Sequence, residues 1–228
     1  MRRAVTTCSC SSLLAAALFV SLPAGGAEPA PLSHVMRPRL ALGPAVGVLD
    51  QSNLSIDGRR QADELGGLTL AQALSYSQGL LPYFGLIAFG RFGTEETVWS
   101  ANRGESRTNM DFGVGPELWL LPKAHGAFVD VRFAVPFGPS LAWFHPSSNP
   151  HGARDQYSTG NGWNLDVIGG MDVIWGHHGV GADLVYMRRW TALTHRATLE
   201  SDPSVRSSER YRYEQGGVSF GVNYVYRF

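Results

Sequence analysis

Period-two alternation of apolar side chains recurs along most of this chain, and it limits the fold more than any other feature. In an extended strand successive side chains point to opposite faces, so residues i, i+2 and i+4 share one face. The clearest segment sets Met110, Phe112, Val114, Leu118 and Leu120 against Asn109, Asp111, Gly113, Gly115 and Glu117. The next runs from Ala127 to Phe137 and sets Val129, Val131, Phe133 and Val135 against Asp130, Arg132 and Ala134. Three later segments repeat the pattern. Trp163, Leu165, Val167, Met171, Val173 and Trp175 oppose Asn164, Asp166 and Asp172. Val180, Ala182, Leu184, Tyr186 and Trp190 oppose Asp183 and Arg189. Val218, Phe220, Val222, Tyr224, Tyr226 and Phe228 oppose Ser219, Gly221, Asn223 and Arg227. Upstream, Arg39 to Leu49 and Leu68 to Ser77 alternate large apolar residues with glycine, alanine, serine and threonine. The stretch LTLAQAL within the second of these also fits a helix. Tyr83 to Phe92 is apolar on both faces.

The connections between these eight segments alternate as well. Tight ones fall at 78–82, 123–126 and 176–179, and long polar ones at 50–67, 93–107, 138–162 and 192–210. Short turns on one side and long loops on the other are the build of a membrane-spanning barrel. A soluble β-sandwich also alternates, but its outer faces must be polar. Here one face of nearly every segment is wholly apolar. Aromatic residues gather at two levels, with Trp175, Tyr224, Tyr226 and Phe228 at one and Trp163, Trp190, Tyr211 and Tyr213 at the other. Such girdles mark membrane–water interfaces. The expected fold is therefore all-β, an eight-stranded antiparallel up-and-down transmembrane β-barrel, with ten strands if a long loop holds a further hairpin. Both termini then lie on the short-turn side.

Composition agrees. Glycine is abundant at 27 residues, as turns and close backbone contacts require. A mean hydropathy of −0.09 excludes a helical membrane protein but not a barrel, whose strands average apolar against polar positions. No segment reaches the roughly 18 apolar residues of a spanning helix. The N-terminus reads as a secretory signal, with Arg2 and Arg3, an apolar run from Leu13 to Leu22, and small residues through Ala27. The expected organisation is a signal peptide over 1–27, a Pro-rich periplasmic leader over 28–38 and the barrel over 39–228. Cys8 and Cys10 precede the apolar run, so the processed chain has no cysteine, and neither disulfide, thiolate metal site nor cofactor is expected. Without Arg2 and Arg3 it carries 17 basic and 19 acidic residues, which gives no pull toward nucleic acid.

The twelve residues from Gly217 to Phe228 (GVSFGVNYVYRF) resemble the C-terminal signature of bacterial outer-membrane proteins, with alternating apolar positions, aromatics near the end and a terminal Phe. The stretch from Gly67 to Gly93 (GLTLAQALSYSQGLLPYFGLIAFGRFG) resembles a hairpin of OmpA-, OmpX- or OmpW-type barrels. The resemblance implies residence in the outer membrane of a Gram-negative bacterium after signal cleavage. It implies assembly by the barrel assembly machinery through the C-terminal strand, with outer-membrane lipid and lipopolysaccharide as surroundings. No soluble domain is expected after the last strand.

The lumen of an eight-stranded barrel is just wide enough for side chains to fill it. Charges on the non-apolar face therefore need partners. A turn centred on Ala124 and His125 sets Glu117 opposite Arg132. One centred on His177 and His178 sets Asp166 opposite Arg189, Gly169 opposite Tyr186, and Asp172 opposite Asp183. Two facing carboxylates need a cation, and Arg227 on the last segment is the candidate. A carboxylate pair can also serve acid–base chemistry or bind metal, but a structural cluster is the favoured role.

Three further features bear on function. His145, Ser147, Ser148 and Asn149 in FHPSSN resemble the His-x-Ser-Asn element of the lipid A deacylase PagL, although the spacing is off by one for Ser147 and no third catalytic residue can be assigned. His125, His177 and His178 sit in tight turns and are expected to be solvated rather than metal-bound. Arg188, Arg103 and Arg107 are candidates for contact with lipopolysaccharide phosphates. Three functions stand open: a non-enzymatic structural or surface-contact barrel, which is favoured; a narrow conduit in the OmpW manner, given room by Ala41, Gly43, Ala45, Gly47, Ala71 and Ala73; and a PagL-like lipid-modifying enzyme.

Overall fold

A computed structural model describes residues 37–56, 59–61, 67–99, 103–125, 127–146, 153–199 and 206–228. Ten strands form one sheet: β1 (Arg39–Ile56), β2 (Arg59–Gln61), β3 (Gly67–Leu81), β4 (Phe84–Trp99), β5 (Arg103–His125), β6 (Ala127–Ala134), β7 (Phe137–Pro146), β8 (Ala153–Trp175), β9 (His178–Leu199) and β10 (Arg206–Arg227). Each long strand pairs antiparallel with its neighbours, and β10 pairs back onto β1, from Arg39↔Arg227 to Ile56↔Tyr211. The sheet thereby closes into a ring of eight staves. β6 and β7 together make the fifth stave, lying between β5 and β8. β2 is a short addition to the end of β1 and supplies no ninth stave.

The break between β6 and β7 falls at Val135 and Pro136, inside what the sequence suggests is one strand. Proline has no N–H to give to the ladder. The stave continues nonetheless, through hydrogen bonds from Val135 N to Pro116 O (3.1 Å) and from Asp166 N to Pro136 O (3.0 Å). The LTLAQAL stretch is strand, held between β1 and β4. The staves also run on into much of the expected long loops, at 50–56, 93–99, 103–107, 138–146, 153–162, 192–199 and 206–210. Apolar alternation ends where lipid would end, but backbone pairing does not need it.

The two faces follow the sequence parity. Leu40, Leu42, Val46 and Val48 of β1 are exposed on the outer wall, while Arg39, Ala41 and Leu49 are buried inside. Ile87 and Phe89 point inward and Leu86 and Phe92 outward, which resolves the strand that is apolar on both faces.

Two registers differ from expectation. The β8–β9 turn is centred on Gly176 and His177, so Trp175 pairs with His178 and Asn164 with Arg189. Gly176 has φ +62°, a conformation glycine adopts without steric penalty, so the turn centres on it and not on the two histidines. Tyr186 consequently lies opposite Val167, and Leu184 opposite Gly169. In β5–β6 the register shifts between Leu120 and Lys123, around Pro122, and places Trp119 opposite Arg132 and Glu117 opposite Ala134. Both corrections are by two residues, so they change partners but leave every side chain on its expected face.

Gly176→Val should weaken the barrel by about 1–2 kcal/mol, because a branched side chain is strained at positive φ. Urea unfolding in detergent micelles followed by tryptophan fluorescence reads the change. An unaltered midpoint would show that the turn does not depend on Gly176.

Candidate functional site: a layered charge network in the lumen

The residues facing inward build two charged layers with an apolar layer between them. In the layer nearer the termini, Arg39 donates from Nη2 to Asp172 Oδ1 (2.8 Å) and from Nη1 to Ser75 Oγ (3.0 Å). Arg132 pairs with Asp183 and donates from Nη1 to Glu117 Oε1 (3.3 Å). Asn223 Nδ2 donates to Asp183 Oδ2 (2.7 Å), and Arg227 pairs with Asp130. In the other layer Asp111 is the hub. It accepts from Arg91 Nη2 (3.0 Å), from Ser140 Oγ (2.6 Å) and from Arg189. Arg91 also reaches Asp166 Oδ1 (3.2 Å), and Arg189 reaches Glu95 and Gln215.

Strand register sets the spacing of the layers. Arg132, Gly170 and Asp183 form one inward row across β6, β8 and β9. The next inward row is Ala134, Ile168 and Val185, which are buried together with Ile87 and Phe89. One inward step further along, Asp166 lies opposite Met187. The apolar row thus separates the two charged layers, and the Arg91 guanidinium lies 5.9 Å from the Phe89 ring centroid.

All seven residues proposed from sequence for the lumen (Glu117, Arg132, Asp166, Arg189, Asp172, Asp183 and Arg227) are buried. Glu117 and Arg132 are bonded, although they are not directly opposed. Asp166 takes its hydrogen bond from Arg91, not from Arg189. Asp172 and Asp183 do not face each other. Asp172 lies opposite Gly181 and Asp183 opposite Gly170, so each carboxylate fills the space a glycine leaves. A Cβ on Gly170 would come within 2.3 Å of Asp183 Oδ1, and one on Gly181 within 2.3 Å of Asp172 Oδ1. The partners of these two carboxylates are Arg39 and Arg132, whereas the direct ion pair of Arg227 is with Asp130. Arg227 thus meets Asp130 directly and attracts Asp172 through space, without the contact between it and the two carboxylates that the sequence suggested.

Sequence reasoning did not place Arg39, Arg91, Glu95, Asp111 or Asp130 in pairs. Asp111 and Asp130 lie on the inward parity, so their burial was legible. Their partners were not, because several pairs cross the lumen between staves that are not neighbours, as Arg39 of β1 does to Asp172 of β8. Among the described residues the buried charges are six arginines and seven carboxylates, close enough to balance that the lumen holds little uncompensated charge.

On the outer wall Trp163 lies opposite Trp190, and Phe137 stacks on Trp163 with ring centroids 5.3 Å apart. At the other end Trp175, Tyr224 and Phe228 are exposed, and Tyr226 packs edge-on to Phe228 at 5.0 Å. Trp163 and Trp175 are twelve residues apart on β8, which at ~3.3 Å per residue and a tilt of ~45° separates the girdles by about 28 Å along the axis. That is close to the roughly 30 Å hydrocarbon thickness of a bilayer.

The remaining candidates separate. His177 Nδ1 lies 2.7 Å from the Arg227 carbonyl oxygen, and His178 meets the Tyr224 hydroxyl, so both turn histidines tie to β10. Among the described residues no group of His, Cys, Asp and Glu is arranged to hold a metal ion. Arg107 is buried at 1% exposure, so it is not available to lipid at the outer surface. Arg188 is on the outer wall, paired with Glu214. Ser147, Ser148 and Asn149 lie outside the described residues, as do the side chains of Arg103, His125, His145, Tyr211 and Tyr213.

No protein-family model matches the chain, and no curated protein does. Among solved structures it is similar to the outer membrane protein OprG of Pseudomonas aeruginosa, at 11% identity and a TM-score of 0.59, over 85% of this chain and 97% of that one. It also aligns with Ail, the attachment invasion locus protein of Yersinia pestis, at 12% identity and a TM-score of 0.33, over 82% of this chain and 99% of that one. The first likeness is one of fold: this is an eight-stranded outer-membrane type of barrel.

Asp111→Ala should cost roughly 3–5 kcal/mol of stability, because it leaves two buried guanidinium groups short of their shared carboxylate. Asp111→Asn should cost less. The comparison is made by urea unfolding in micelles, and equal midpoints for wild type and both variants would mean that Asp111 does not hold the layer together.

Proposed function

We propose that this chain is a non-enzymatic integral protein of a Gram-negative outer membrane, an OmpA/OmpX/OmpW-like barrel with a structural or surface-contact role. Its signal peptide directs export, and the strand ending at Phe228 presents the chain to the barrel assembly machinery. One observation carries the reading: two ion-paired layers and the apolar row between them fill the lumen. A filled, balanced interior gives stiffness without a water path for ions. Burying so many charges is not a cheap route to stability, since apolar packing would serve as well. Their favoured role is to keep the interior polar while the apolar face turns to lipid.

A second reading, a narrow conduit, has one observation in its favour. The β1–β3 wall is built from Gly43, Ala45, Gly47, Ala71 and Ala73, and the inward-facing Ala71 and Ala73 remain partly accessible inside the lumen. Nearby Glu95 Oε2, Asn109 Nδ2 and Gln215 Nε2 are buried without a protein hydrogen-bond partner. Small uncharged solutes are what such a passage would admit.

Single-channel recording in planar bilayers tests the two. The filled lumen predicts no stable conductance steps. Reproducible steps, or liposome swelling with glycerol that Ala71→Phe abolishes, would overturn the closed reading in favour of the conduit.

A further inference from the structure

Four neighbouring strands share a stretch of inner wall that carries almost no side chain. In one inward row Gly221 of β10 lies opposite Ala45 of β1, Ala45 opposite Ala71 of β3, and Ala71 opposite Gly93 of β4. At ~4.8 Å between strands this row is about 14 Å long. A Cβ on Gly93 would come within 2.6 Å of the Ala71 Cβ, so the wall there can carry nothing larger. Ala71 and the next inward residue, Ala73, stay partly accessible. The result is a shallow trough in the half of the lumen away from the termini. Toward the termini it ends on the apolar row, against which Ala73 packs. At its β5 end stands Asn109, opposite Gly93. Along its other side runs the inward row of Ser219, Gly47, Thr69 and Glu95. Arg189 ties Glu95 to Gln215. Glu95, Asn109, Gln215 and Ser219 are each at most 3% exposed. Each of them nevertheless keeps one polar atom with no protein partner: Glu95 Oε2, Asn109 Nδ2, Gln215 Nε2 and Ser219 Oγ.

We propose that this trough binds a small neutral polyhydroxy compound, of the size and chemistry of a monosaccharide. The proposal rests on the reading of the lumen as closed, so that the ligand is held and not passed on. Three properties point to that class. The unpartnered atoms are of mixed kind: a carboxylate oxygen that accepts, two amide nitrogens that donate, and a hydroxyl that does either. A ligand hydroxyl both donates and accepts, so hydroxyls alone can meet all four. The charges of this half already balance among the described residues, with Arg91, Arg107 and Arg189 against Glu95, Asp111 and Asp166. A charged ligand would bring a charge that lacks a counter-ion, whereas a neutral one would not. The trough itself is lined by alanine and glycine and ends on the row of Ile87 and Phe89, which suits the C–H face of a sugar ring. That same apolar row offers no hydrogen bond to a solute moving further, and so makes the trough blind.

Saturation-transfer difference NMR of the folded protein in phosphocholine-detergent micelles, with D-glucose as the probe, tests this. Wild type should transfer saturation to glucose, and Ala71→Phe, which fills the trough, should abolish the transfer. Asn109→Leu keeps the branched shape and removes the polar atoms; it should weaken glucose binding roughly tenfold, for the loss of one hydrogen bond. Thr94→Ala, on the outer wall of β4, should leave binding unchanged. A wild-type protein that gives no transfer would mean that water alone meets these atoms, and would overturn the site. So would equal binding by wild type and Asn109→Leu. Gluconate binding as tightly as glucose would overturn the neutral class. Heat-modifiable migration on gels is recorded for every variant, and where Ala71→Phe fails to fold, Asn109→Leu and Gln215→Leu carry the comparison. The same wild-type sample is recorded in planar bilayers. Absence of glucose transfer with a silent bilayer sinks the trough alone, whereas stable conductance steps sink the closed lumen and the blind trough with it.

Discussion

The pairing of β10 with β1 is the contact on which the rest depends. In hydrocarbon no water is available to satisfy a strand edge, so a spanning sheet must close on itself. Closure at eight staves then fixes the width of the interior. That width leaves room for side chains from every stave to meet at the axis, and little more. The outer wall is left with the large apolar residues, and the inner wall with whatever can be packed or paired in a confined polar space.

Within that space the arginines are arranged by reach more than by strand adjacency. Arg39, Arg132 and Arg189 each touch groups on staves away from their own neighbours. A long guanidinium side chain spans the lumen and can divide its donors among several carboxylates. Aspartates, being short, need space beside them, and Gly170 and Gly181 provide it. Asp111 gathers two arginines and a serine, and Arg189 in turn joins it to Glu95 and Gln215. The apolar row of Ala134, Ile168 and Val185 keeps the two networks from merging.

The outer wall is sorted by depth. Two aromatic girdles about 28 Å apart bound the exposed leucines, valines and phenylalanines, an interval set by bilayer thickness. Beyond the upper girdle the strands continue as paired backbone with polar residues. Closure of the ring brings residues distant in sequence into one row there, as Ser55 of β1 with Arg212 of β10.

The sequence by itself determined which face each residue takes. Parity follows from the pleat of a strand, and an error of two in the pairing of a hairpin does not alter it. For this reason Asp172, Asp183, Glu117 and Arg132 were placed inside, and Glu117 does bond Arg132, whereas the direct partners of the two aspartates were not legible. Turn centring was within reach too, since glycine takes a positive φ at less cost than the histidines beside it. The bulge around Pro122 and the break at Pro136 were written in the chain as well, but their effect on register depends on how neighbouring staves absorb them. Only the tertiary structure decided who pairs with whom across the lumen. Arg39 begins the first stave and Asp172 lies near the end of the sixth, 133 residues apart, and no local pattern relates them. Their contact exists because a closed sheet of this width brings its opposite walls within the length of one arginine.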